Sequence, residues 1–142
     1  ALDHFSVDAL ARRFGTGWDL QAIEVNLRKG GTTHPHQVLR FLSNGRLDPA
    51  TGSFLSPRGT TLHYIATDNF IDPRLQGLLP VDLIDAVADA GLHFDALRES
   101  GSVFHLLGCL SEHGKIGMTC IGTSLDAAER VYARTQARLL EM

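Results

Sequence analysis

The sequence predicts an α+β fold, mostly antiparallel, with three helices. Two observations predict it. Stretches that alternate at period 2 stand beside turn residues in hairpin fashion. Three apolar stripes at helical spacing each open on a proline or a capping serine. No repeat, low-complexity tract or linker interrupts the 142 residues, a length usual for one domain.

Residues 5–12 alternate and read as a strand, Phe14 to Gly17 as turn chemistry, and residues 19–27 as a second strand. Arg28 to Pro35 is a glycine-rich loop, and Pro35 suits the first turn of a helix. Val38, Leu39 and Leu42 line that helix, and Asn44-Gly45 ends it. Residues 46–60 read as a long loop or weak hairpin, and 61–67 alternate again. Pro80 opens a second helix that stops at Gly91. Residues 103–110 and 116–121 are apolar strands, with Ser111 to Lys115 as their hairpin turn. Ser124 caps the last helix, whose stripe is Leu125, Ala128, Tyr132, Thr135 and Leu139.

Composition narrows the function. With 44% hydrophobic and 20% charged residues the chain is an ordinary globular one, which excludes a disordered tail, a collagen-like repeat and a disulfide scaffold. No run approaches the roughly 20 apolar residues that span a bilayer. Thirteen basic against sixteen acidic residues, net −3, leave no footprint for nucleic acid. Two cysteines make no disulfide framework, so cytoplasm is the simplest compartment. The chain does not begin with Met, and its first strand starts within a few residues, as in a piece of a longer polypeptide.

The candidate chemistry lies near the start. Glu24 and Asn26 are two apart on one strand and so share a face. A hairpin symmetric about Thr16 puts Asp8 opposite Glu24. Opposed carboxylates repel at this spacing, and a cation between them removes the cost. Oxygen ligands with one amide favour Mg²⁺ or Mn²⁺ over zinc. The alternative is a solvated pair on an edge hairpin, and a one-residue slip would separate the faces. The next loop suits an anion. Arg28 offers a fork of donors, Gly30 and Gly31 let backbone N–H groups approach closely, Thr32 and Thr33 add hydroxyls, and a helix N-terminus follows. His34 is a substrate contact or a capping residue.

Asp8, then Glu24-Val25-Asn26-Leu27-Arg28 and Gly30-Gly31-Thr32-Thr33-His34-Pro35, resemble the metal-binding end of the ATP-grasp ligases. The likeness is greatest to the C-terminal part of pheganomycin-type peptide ligases, a carboxylate–amine ligase branch. It extends to Tyr64 to Asn69, Phe104 to Gly108 and Gly114 to Gly117. The resemblance implies ATP-dependent joining of a small-molecule carboxylate to an amine or peptide through an acyl phosphate. It implies Asp8, Glu24 and Asn26 as ligands of Mg²⁺ (or Mn²⁺), Arg28 as the catalytic cation, and Gly30, Gly31, Thr32, Thr33 and His34 as the substrate and phosphate loop. The family also carries an upstream lobe with a lysine, whereas Lys29 and Lys115 here both follow Asp8. The expectation is therefore the C-terminal fragment of a longer ligase, residues 1–45 bearing the site and 46–142 an α+β extension, inactive alone. The alternative is a stand-alone, non-catalytic binding module derived from such a ligase; a small Mg²⁺-dependent phosphohydrolase is a third reading.

Other residues carry less. No Cys/His set has zinc spacing. Cys109 and Cys120 read as small core residues, with Leu110 taken to pair with Ile116. His105 reads as a core histidine, Lys115 as a solvated turn residue, and Asp68-Asn69 as a turn ending a strand.

Overall fold

The structure is a computed structural model that describes residues 5–142. The chain divides into two compact units, Ala1–Gln37 and Val38–Met142.

The first unit is built on a two-stranded antiparallel ribbon, β1 (Ser6–Phe14) and β2 (Gly17–Asn26). The strands run further toward the turn than their alternation predicts. Phe14 pairs with Gly17, leaving Gly15 and Thr16 as a two-residue loop. Gly15 has φ 59° while Thr16 keeps a negative φ, as a turn with glycine at its first central position requires. The helix α1 (Thr33–Ser43) starts in this unit and continues into the second. It begins two residues before Pro35, and Asn44, with φ 51°, ends it as expected.

The second unit holds a five-stranded antiparallel sheet in the order β3-β4-β5-β7-β6: β3 (Arg46–Leu47), β4 (Phe54–Leu55), β5 (Thr61–Ile71), β6 (Gly101–His105) and β7 (Lys115–Gly122). Among the described residues there are four α-helices, not three; α2 (Pro80–Asp89) and α4 (Leu125–Leu140) match expectation, and α3 (Leu110–His113) is the addition. The antiparallel α+β class holds.

The extra helix lies at the end of the expected strand 103–110 and in the expected turn after it. Residues 106–110 are apolar enough for a strand, but Leu106 takes φ 57° and the chain enters a 3-10 turn and then α3. The turn that joins β6 to β7 is thus longer than Ser111 to Lys115. The register follows: His105 pairs with Gly117 and Ser102 with Cys120, so Leu110 does not pair with Ile116. Both cysteines are free, and Cys120 is fully buried.

Two cores flank the sheet. On one face Ile116 packs with Leu75, Leu83, Val87, Leu92, Leu110 and Leu139, beneath α2 and α4. Serine 124 caps α4 by accepting from the Ala127 N–H at 3.1 Å. On the same face the Ser102 and Thr135 hydroxyls bond at 2.5 Å, and Cys120 Sγ lies 3.7 Å from Ser102 Oγ. Burial pushes the Cys120 thiol up to about 11, so it stays a thiol at neutral pH. On the other face Leu62 and Ile121 pack with Leu39 of α1 and Phe54 of β4. No helix among the described residues is long and apolar enough to cross a membrane.

Candidate metal and phosphate site

The structure puts Asp8 directly opposite Glu24, as the sequence predicts, but by a different route. A two-residue loop paired regularly would set Ile23 against Asp8 and Glu24 against Val7. The register shifts between Asp8 and Ala9, where Ile23 is the extra residue on β2. Beyond that bulge Glu24 faces Asp8 and Asn26 faces Ser6.

The signal for the bulge is in the sequence. Trp18, Leu20 and Ala22 are apolar at every second position, Ala22-Ile23 breaks the phase, and Val25 and Leu27 resume it one residue later. With the bulge, the polar residues of β2 (Asp19, Gln21, Glu24, Asn26) share one face. Their contacts agree. Asn26 Nδ2 donates to Asp8 Oδ2 at 3.4 Å, Gln21 Nε2 to Asp19 Oδ2 at 3.3 Å, and Arg12 Nη2 to Asp19 Oδ2 at 3.5 Å. Ser6, on the same face, was not singled out from sequence; its pairing opposite Asn26 is what brings it there.

The donor set is Asp8 and Glu24 carboxylates with the Asn26 amide. The described residues hold no cluster of three or more His, Cys, Asp and Glu that could hold a metal ion, and the further oxygen donor on this face is the Asn26 amide. Asn26 spends its N–H on Asp8, which leaves that oxygen for another partner. All-oxygen ligands in this number fit Mg²⁺ or Mn²⁺, which keep waters and take phosphate oxygens.

The loop behind it is closed at one end. Gly30 N–H donates to Thr33 Oγ1 at 3.0 Å, and Thr33 N–H returns to the Gly30 carbonyl at 3.0 Å. The Gly30 N–H is therefore already used within the loop. Gly31 has no positive φ, and a Cβ there would meet no heavy atom of the described residues within 4 Å. The local fold thus gives no reason for glycine at position 31. Arg28 is exposed, and among the described residues it makes a 3.5 Å contact to the Lys29 carbonyl. His34 is exposed at the start of α1, while Thr33 and Pro35 are buried.

Residues 82–135, from α2 into α4, match the family model described as PGM1 C-terminal domain. The chain is also 29% identical over 122 residues to the L-propargylglycine–L-glutamate ligase of Streptantibioticus cattleyicolor, a match that takes in 85% of this chain and 25% of that protein. The chain spans about a quarter of the length of this relative. Both matches bear out the likeness to the C-terminal part of pheganomycin-type ligases. No solved structure matches the chain.

Proposed function

We propose that this chain is the C-terminal part of an ATP-grasp ligase that joins a carboxylate to an amine, and that its hairpin supplies ligands for Mg²⁺ bound to ATP. The observation that carries the reading is the Asp8–Glu24 pair with Asn26 on the same face. Two carboxylates at cross-strand spacing hold each other's charge at a cost that a divalent ion relieves.

When bound, Mg²⁺ would neutralise charge on the β- and γ-phosphates during transfer to the substrate carboxylate. Asp8, Glu24 and Asn26 would fix its position. Arg28, unpaired with any carboxylate among the described residues, is free to meet the charge of the transferring phosphoryl group or of the carboxylate. Gly31, Thr32 and Thr33 would hold phosphate oxygens at the N-terminus of α1, where the helix dipole favours an anion. An acyl phosphate formed there gives an amide when an amine displaces phosphate. The ATP-binding lobe and the substrates belong to this proposal; the relative's printed name supports a carboxylate–amine pair of amino acids.

The test is calorimetric titration of Mn²⁺ into the wild-type chain and Glu24→Ala. We expect binding in the first and at least about tenfold weaker binding in the second. Equal heats in both would exclude the hairpin as the site.

A further inference from the structure

The end of the five-stranded sheet away from α1 carries a second set of polar groups, on the face opposite α2 and α4. On β7, Lys115, Gly117 and Thr119 alternate with Ile116, Met118 and Cys120, and Cys120 points to α4 through Ser102. So the first three share the other face. Their neighbours complete it. His105 pairs with Gly117 from β6. On β5 the register shifts between Thr67 and Phe70, so Asp68 and Asn69 together oppose Gly117. The expected turn at Asp68-Asn69 is instead a bulge inside an 11-residue strand. Lys115 is the first residue of β7 and not part of a turn.

Three further observations mark this end. A Cβ on Gly117 would strike the Nε2, Cε1 and Cδ2 atoms of His105, so the imidazole lies over Gly117. Leu106, next to His105, holds φ 57°, a conformation that costs a bulky residue about 1 kcal/mol or more and tends to mark functional sites. Thr119 is 1% exposed, and its Oγ1 has no hydrogen-bond partner among the described residues. A buried hydroxyl without a partner calls for one.

We infer that this face, bounded by Asp68, His105, Lys115 and Thr119, is a binding site for a molecule carrying an ammonium and a carboxylate, an α-amino acid or a small peptide. Asp68 and Lys115 are diagonal neighbours in the β5–β7 register, with backbones roughly 7–8 Å apart. They are of opposite charge, and neither makes an ion pair among the described residues. Asp68 receives the ammonium and Lys115 the carboxylate, on either side of the His105 ring that lies over Gly117. In the ligase reading, on which the ligand's role rests, this ligand is the amine substrate.

The experiment is an amide-resolved NMR titration of the ¹⁵N-labelled chain with L-alanine, with propionate and ethylamine as half-ligands. We expect saturable shifts at Asp68 to Phe70 and Lys115 to Gly117. Asp68→Asn and Lys115→Met should each weaken binding by about tenfold, and each half-ligand should bind more weakly than alanine by a similar factor. No shift in the folded wild type, or shifts indifferent to both substitutions, would overturn the site. Mn²⁺ added to the same sample reads the hairpin separately by broadening at Glu24. Broadening with silent alanine overturns this site alone. Alanine shifts without broadening overturn the metal hairpin and leave this site standing.

Discussion

Ile23 steps out of the β1–β2 ladder, and Glu24 lands opposite Asp8 because it does. The hairpin has one residue too many on β2 for its two-residue turn. The bulge absorbs it at the boundary between two runs of apolar alternation, and the carboxylate face stays whole.

Deletions test this directly. Removing Ile23 leaves a regular ladder with Ala9 against Ala22 and Asp8 still against Glu24. Mn²⁺ affinity should change by less than about threefold, since the ligand geometry survives. Removing Val25 turns Asn26 to the far face, and affinity should fall by about tenfold or more. Calorimetry on both deletions checks the pair, and a loss on deleting Ile23 as large as that on deleting Val25 would show that the bulge matters as well as the face of Asn26.

Gly31→Ala separates a ligand's need from the fold's need. The added methyl meets nothing in the described residues, so thermal stability should hold or rise slightly. Binding of Mg²⁺-ATP by a full-length ligase carrying this substitution should weaken, because the methyl stands where a phosphate oxygen would approach. Unchanged nucleotide binding would remove Gly31 from the cradle.

The second unit has its own acid-sensitive bond. Arg74 grips Asp72 through Nε at 2.8 Å and Nη2 at 2.9 Å, and the Arg74 N–H also donates to Asp72 Oδ1. The guanidinium holds the Asp72 carboxyl at about 2, below its ordinary 3.8. Its contribution to stability is therefore complete above about pH 4 and lost as pH falls toward 2. Denaturant unfolding should show Asp72→Asn less stable than wild type at pH 7, and the gap should close near pH 2.

Inside the sheet–α4 contact, Thr135→Val strands the Ser102 hydroxyl, with only the weak Cys120 thiol left beside it. The cost should be about 1–3 kcal/mol. Ser102→Ala with Thr135→Val removes both hydroxyls and should cost less than the two single changes summed. Chemical denaturation of the four proteins completes the cycle.

How much of this was legible in the sequence varied with the kind of signal. Pro80 and Ser124 start their helices where expected, because a ring-locked φ and a capping hydroxyl act locally. Asp8 and Glu24 face each other as expected, though the symmetry assumed about Thr16 was not the cause. Leu106 to Leu110 misled, because a short apolar run serves a 3-10 turn and the start of a short helix as well as a strand, and only long-range pairing decides between them. Asp68-Asn69 misled for a related reason. Polar residues that favour turns also favour bulges, and the partner strand that makes the difference lies about fifty residues away along the chain. The Gly30–Thr33 closure gave no sign, since reciprocal hydrogen bonds within a loop leave no pattern of hydrophobicity.

β7 is hydrogen-bonded on both sides, to β5 and β6, whereas among the described residues β1 and β2 pair only with each other. In deuterium exchange these two pieces should live on different clocks. The amides of β7 open only with the whole second unit, while a lone two-stranded ribbon opens by itself at far smaller free energy. The carboxylates proposed as metal ligands thus ride on a ribbon that opens more readily than β7, and a cation bridging Asp8 and Glu24 would act as a further tie that slows it.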